Sequence, residues 1–336
     1  MAHPGDLPRR EDVRTPLARA HEHSRRSCHD KGFVDTIKMV PAILLRWRLW
    51  RFVMIVVTGA SGSLNGATLD HLLTAHPASD LVAVGRDTDK LARFARRGVE
   101  VRRGDYADPA SLMSAFAGAD QLLLVSSSDP GANVVALHAD AIDAAAEVGV
   151  GRVLYTSHQG AALDNPFAPA REHAATEQLL ASSGLAWTAL RNGAYAHMRS
   201  YFLGNWRETG LVEVPADGPV SWTSRSDLAE AAARILLSGG QYDGPTTLTA
   251  PETWSFAEMA ELASVASGRT ITVRVIGEDA WIRRQVEAGQ PEFLARFMVG
   301  FYLGAEEGFY AGTGPLLGTL LQRAPHSIRD LFIAEH

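Results

Sequence analysis

The sequence predicts a doubly wound α/β fold, a parallel sheet with helices on both faces, carrying a smaller α+β lobe at its C-terminal end. Three observations point there. From Met54 onward, apolar runs of strand length alternate with helix-like stretches. The stretch "MIVVTGASGSLNGATLDHLL" passes from a strand into a glycine-bearing turn and then a helix. After about Asn192 the alternation loosens into helices with isolated strands.

In chain order, residues 1–53 come first. They hold 11 Lys+Arg against 6 Asp+Glu and open with "MAHPGDLPRREDVRTPLARAHEHSRRSCHDKG", which has no apolar period. This segment is expected to be a disordered extension, with Met54 as the natural start of the folded chain. The run "MVPAILLRWRLWRFVMIVV" is long and apolar, but Arg46, Arg48 and Arg51 interrupt it. Each arginine costs about 2.5 to 3.5 kcal/mol near a membrane centre, so no span is expected there. A basic amphipathic segment lying on a membrane surface is the alternative for it.

The strands expected next are "FVMIVV", "LVAVG", "VEVRRG", "QLLLVSS", "GRVLYTS" and "LAWTALR", with helices beginning near Ala67, Asp89, Pro109, Asn133 and Glu172. Crossovers of that length imply parallel pairing and right-handed connections. Residues 54–192 then form a Rossmann-type nucleotide-binding domain, and residues 193–336 a substrate lobe on the sheet edge. The lobe contains helices in "SRSDLAEAAARILLSG" and "SFAEMAELASVASG" and strands "TTLTA" and "TITVRVI". Ser255 with Glu258 has capping-box spacing, and Ser224 with Asp227 a weaker version of it.

Composition excludes several functions. The part after residue 53 carries 21 Lys+Arg against 32 Asp+Glu, a poor match for a nucleic-acid backbone. The only cysteine, Cys28, lies in the extension, so the body has no disulfide, thiolate zinc site or cysteine nucleophile. That usage fits a reducing cytoplasm. No H-E-x-x-H or G-x-S-x-G motif occurs. A monomer and a homodimer are both compatible with the sequence.

The glycine turn sits where a dinucleotide site would be. Thr58, Gly59, Ala60, Ser61, Gly62, Ser63 and Leu64 form the turn, in which Gly59 makes the bend and Gly62 lets the backbone approach a pyrophosphate at the helix N-terminus. Asn65 stands in place of the third glycine, with Gly66 behind it, so a slightly displaced helix is expected. At the end of the second strand, Gly85 and Arg86 replace the usual acid for the ribose 2′-hydroxyl. Arginine there can take a 2′-phosphate, which favours NADPH over NADH. Asp105 and Tyr106 follow the third strand, where adenine would lie. Ser126, Ser127 and Ser128 follow the fourth, near the ribose and nicotinamide. All five serve equally well as turn or cap residues.

Residues 54 to about 334 resemble the NmrA-like atypical short-chain dehydrogenases, and within them the type 2 NAD(P)H:quinone oxidoreductases. The resemblance is carried by "TGASGSL", "LLLVSSSD", "YTS" at Tyr155 to Ser157, "EHAATEQLLASSG", "LRNGAY", "SRSDLAEAAARIL" and "TWSFAEMAELASVASG". Two positions depart from the family pattern. Asn65 replaces the third glycine, and Ala194 stands where the quinone reductases carry a bulky aromatic before Tyr195, which alters the expected pocket.

Ordinary short-chain dehydrogenases protonate an alkoxide with a Tyr whose pKa is lowered by a Lys four residues on. The only lysines here are Lys31, Lys38 and Lys90, all upstream. His173 and Glu177 stand in the Tyr and Lys positions. Their spacing puts them on one helix face, where Glu177 would raise the His173 pKa and orient its ring, or form a purely structural pair. An acceptor would lie beneath Asn192, Gly193 and Tyr195. Hydride addition to a quinone leaves a phenolate whose conjugate acid has a pKa near 10, as for Tyr, which solvent can protonate. An alkoxide, with a conjugate acid near that of bulk water at about 16, needs a positioned acid. The expected function is NADPH-dependent reduction of a quinone or similarly electrophilic acceptor. The alternative is a non-catalytic NAD(P)-binding sensor of the NmrA-like type.

Overall fold

The computed structural model describes residues 53–127, 129 and 131–333. The expected disordered extension therefore lies outside the described residues except for Val53, and so does Ser128.

The six strands expected before Asn192 all form: β1 Ile55–Val57, β2 Leu81–Gly85, β3 Glu100–Arg103, β4 Gln121–Leu124, β5 Arg152–His158 and β6 Ala186–Asn192. β7 is Leu211–Val214, β8 Gly244–Leu248 and β9 Thr272–Val275. The main sheet is parallel throughout, in the order β3-β2-β1-β4-β5-β6-β8. The chain thus starts in the middle, runs out to β3 and returns to β4. The crevice at such a reversal, outside the carboxyl ends of the strands, is where doubly wound sheets bind ligands. β8, read from the sequence as part of the second lobe, pairs with β6 and completes this sheet. β7 and β9 form a separate parallel pair.

The longer helices are α1 Ser63–Leu72, α2 Pro109–Phe116, α3 Val134–Glu147, α4 Ala168–Ser182, α5 Arg225–Leu237, α6 Phe256–Ser267, α7 Glu278–Glu287 and α8 Glu292–Glu306. α1 and α4 both begin four residues before the sequence predicts. Pro169 explains the second case, because proline in the first helical turn loses no intrahelical bond. Alternate strand residues feed two cores. Ile55, Val57, Leu123, Leu154 and Leu190 pack with α1 and α5 on one face. Val56, Leu122, Leu124, Val153 and Tyr155 pack with α2 and α3 on the other. A third core, rich in aromatics such as Trp206, Trp222, Phe256, Phe301 and Tyr302, draws its buried residues from after Asn192, with Phe167 packed against it.

Ser255 and Glu258 close the expected capping box on α6. Ser224 makes no such bond at the start of α5. Asp227 instead lies fully buried, bonded to Arg323 at 2.9 Å and to the ring Nδ1 of His326 at 2.7 Å. It ties the C-terminal segment to α5.

The glycine turn resolves the irregular spacing. Gly59 has φ +60°, open to glycine at little cost. A Cβ on Gly66 would come within 2.8 Å of the Ala60 carbonyl oxygen, so Gly66 is the residue that lets α1 press onto the turn. Asn65 is buried one position earlier and donates its side-chain amide to the Thr58 carbonyl at 2.8 Å. Helix and strand are therefore joined by a hydrogen bond at one residue and by close backbone packing at the next. Gly66→Ala is expected to destabilise the protein by about 1 to 3 kcal/mol, the usual cost of overpacking, read as a lower urea midpoint.

Candidate active site

The carboxyl edge of the sheet gathers most of the residues singled out in the sequence. At the turn, Ser61, Gly62 and Ser63 are exposed and Leu64 is half-buried, while Ala60 is buried and donates its N–H to Val84 O. Gly62 caps α1 without any side-chain bond. The N–H groups of Ser61, Ser63 and Leu64 have no hydrogen-bond partner among the described residues. A Cβ on Gly62 would stand 3.1 Å from Gly59 O, in the concavity of the turn. Free N–H groups and the positive end of a helix of 10 residues suit a pyrophosphate. The residues present thus fit a dinucleotide.

Thr58 serves the scaffold. Its hydroxyl donates to Leu123 O, accepts from Val125 N at 2.8 Å and meets the Tyr106 hydroxyl at 2.8 Å. Tyr106 also reaches Val125 O, so its hydroxyl is spent on the sheet edge, and burial pushes its pKa upward. Asp105 folds its carboxylate back onto Ala107 N. Arg86 is exposed and paired through Nη1 with both carboxylate oxygens of Asp129, at 2.9 and 3.1 Å.

Beyond β4, backbone amides are tied to buried side chains. Ser126 N–H donates to Thr156 Oγ1, and Ser127 N–H donates to His138 Nε2, both at 2.8 Å. With Nε2 accepting, the proton of a neutral His138 ring is on Nδ1, which faces Thr176 Oγ1 at 2.8 Å. The Thr176 hydroxyl in turn donates to Glu172 O at 2.9 Å. His138 is fully buried, and desolvation lowers its pKa to about 4.

The expected His173–Glu177 bond is not made. Glu177 is buried, takes a bidentate ion pair from Arg191 on β6 (2.6 Å at the shortest) and accepts from Ser157 Oγ at 2.6 Å. A two-pronged guanidinium is a better partner for a carboxylate than an imidazole four residues back. His173 instead has its Nδ1 2.8 Å from the Tyr155 hydroxyl. Burial, then the neighbouring His158 and His138, holds its pKa well below the ordinary value. It is a neutral ring beside a tyrosine, not a charged acid.

Asn192 is buried, and its Oδ1 has no partner. Burial pushes the Tyr195 pKa upward, opposed by the neighbouring Asn192 side chain and by the positive charge of Arg225. Tyr195 stacks on His197 at 5.7 Å between ring centres. Gly193 is required by packing, since a Cβ there would meet Thr223 Oγ1 at 2.2 Å. Sequence reasoning missed His158, the last residue of β5, which lies opposite Asn192 in the β5–β6 register. The strand read from the sequence stops at Ser157, one residue short of it, and its neighbours Phe167 and Tyr310 come from distant segments. Among the described residues there is no cluster of metal-ligating side chains and no helix long and apolar enough to cross a membrane.

A doubly wound parallel sheet whose glycine turn and uncapped helix meet at the strand-order reversal defines a dinucleotide-binding α/β protein. Residues 59–238 match a family described as NAD(P)H-binding. The chain is 34% identical to quinone oxidoreductase 2 of Escherichia coli over 76% of this chain and 89% of that protein. It is 31% identical to an NmrA-like family domain-containing oxidoreductase of Aspergillus flavus, over 82% and 92% of the two chains. The crystal structure of the E. coli enzyme complexed with NADPH superposes with a TM-score of 0.76, at 31% identity over 84% of this chain and 99% of that one. Triphenylmethane reductase of Citrobacter, complexed with NADP(H), gives 0.74 at 30% identity, over 84% and 99%. The chain belongs to the NAD(P)H-binding family and to its NmrA-like oxidoreductases.

Because the folded His138 titrates at about 4 and the unfolded ring near 6.5, the unfolded state binds more protons between those values. Stability is therefore complete above about pH 6.5 and is lost as pH falls toward 4, by on the order of 3 kcal/mol from this residue alone. Urea unfolding across that range should show the loss, and His138→Gln should make it smaller by one histidine's share, leaving the part due to His158 and His173.

Proposed function

We propose that this protein is an NADPH-dependent oxidoreductase that delivers hydride to a quinone or similarly electrophilic acceptor. The observation that carries the reading is the pairing of a free helix N-terminus at the glycine turn with a neutral, acid-free acceptor edge. A bound reduced nicotinamide supplies the hydride. The N–H groups of Ser61, Ser63 and Leu64 would hold the pyrophosphate. Arg86 would exchange Asp129 for a 2′-phosphate, with Ser126 and Ser127 on the ribose side. Asn192 Oδ1 offers a buried acceptor to a carboxamide N–H, and Asn192, Gly193 and Tyr195 would floor the acceptor site. His173 orients and hydrogen-bonds the acceptor without having to protonate it.

The absence of a Tyr/Lys pair belongs to this reading. The lysines are confined to Lys31, Lys38 and Lys90, and neither His173 nor His138 is protonated near neutrality. The relatives above 30% identity are named as oxidoreductases, which favours turnover over the sensor alternative. The setting we infer is the cytoplasm, in keeping with a body free of cysteine.

Purified protein is expected to oxidise NADPH when a simple para-quinone is added, with no measurable activity on secondary alcohols or unactivated ketones. Tight NADPH binding that no quinone turns into oxidation would favour the sensor. Arg86→Ala should weaken NADPH binding by about 1.5 to 3 kcal/mol, the worth of hydrogen bonds to a charged group, and leave NADH binding unchanged by titration calorimetry.

A further inference from the structure

We propose that His158 is a neutral hydrogen-bond donor to the acceptor, its Nε2–H meeting the oxygen on which negative charge develops. The inference rests on the reading above and adds to it a residue and a chemical class: acceptors whose reduction leaves an anionic oxygen.

His158 ends β5 beside Asn192, at the edge where the acceptor would lie. Its ring is walled by Phe167 at 6.3 Å, by Tyr310 edge-on at 5.3 Å and by His173 nearly parallel at 6.0 Å. The Gly160 N–H donates to Nδ1 at 3.1 Å. A neutral ring with Nδ1 accepting carries its proton on Nε2. No group among the described residues bonds Nε2, which sits on a half-buried ring and is not sealed from solvent. A donor so placed has no protein partner and can exchange water for an oxygen of a ligand.

The tautomer is braced from behind. The Gly160 backbone is fixed by Asn165 Nδ2, which donates to Gly160 O at 2.9 Å, and a Cβ at Gly160 would collide with the Tyr310 ring. Desolvation lowers the His158 pKa to about 4, so the ring stays neutral at the pH where the protein would work. A neutral imidazole polarises a carbonyl without releasing its proton. In the overall reaction two electrons and one hydrogen reach the quinone as hydride. The oxygen left negative takes its proton from water, giving the hydroquinone. His158 keeps its proton throughout.

The test compares two acceptors under hydride transfer from NADPH. A para-quinone develops an anionic oxygen, whereas a cationic triarylmethane dye is neutralised at carbon and develops none. His158→Phe should lower kcat/KM for the quinone by about 10- to 100-fold, the range for losing a hydrogen bond to a charged oxygen, and change dye reduction by less than about threefold. His158→Gln, which keeps an N–H donor, should recover most of the quinone rate. Equal losses on both acceptors, or no loss on the quinone, would overturn the proposal and leave the enzymatic reading intact.

A readout without turnover covers the case in which wild type reduces neither acceptor and the enzymatic reading itself fails. With NADP+ present, 4-nitrophenolate titrated by absorbance should bind about tenfold more weakly to His158→Phe than to wild type. Equal binding would overturn the donor role. Nitrogen NMR of wild type should show His158 Nδ1 unprotonated and Nε2 protonated from pH 5.5 to 8, and the opposite tautomer would also overturn it.

Discussion

Where α1 meets the turn after β1, Gly66 stands against the Ala60 carbonyl and Asn65 reaches the Thr58 carbonyl, and the arrangement of the carboxyl edge follows from that contact. The Thr58 hydroxyl links the end of β1 to Leu123 of β4 and to Val125 just beyond it, and Tyr106 links it to the loop after β3. Three strand ends are thereby locked to one helix N-terminus. If the helix rode outward by the width of a methyl group, its free N–H groups would move relative to every loop that shapes the crevice.

How far the sequence reveals this depends on the range of each interaction. Strands β1 to β6 could be read because buried parallel strands are continuous apolar runs. The turn could be read because Gly59 and Gly62 follow a strand. The role of Gly66 could not, because its close approach is to backbone folded back from Ala60. The His173–Glu177 pairing followed from helical spacing, which is local, whereas Arg191 reaches Glu177 from a separate strand. Similarly, the Ser224–Asp227 spacing suggested a cap, and Asp227 is taken by Arg323 and His326 from nearly a hundred residues away. Short-range patterns located the elements, and long-range partners decided what the charged side chains do.

The histidines show the same division. Three of them, His138, His158 and His173, lie near one another behind the crevice, with ring nitrogens engaged by Ser127 N–H, Gly160 N–H and the Tyr155 hydroxyl respectively. Desolvation lowers the pKa of all three. The cluster provides fixed dipoles rather than mobile protons. Such groups suit a reaction whose product anion is weakly basic.

Gln159, next to His158, donates through its side chain to Tyr310 O and Gly312 O and accepts from Ser221 Oγ at 2.7 Å. The wall beside the acceptor edge is thus built from the far end of the chain, while the glycine turn belongs to its first half. Evolution can revise the two independently. Drift in the C-terminal lobe would change which molecules are admitted without disturbing the grip on a dinucleotide, so one scaffold can give rise to descendants with unrelated diets.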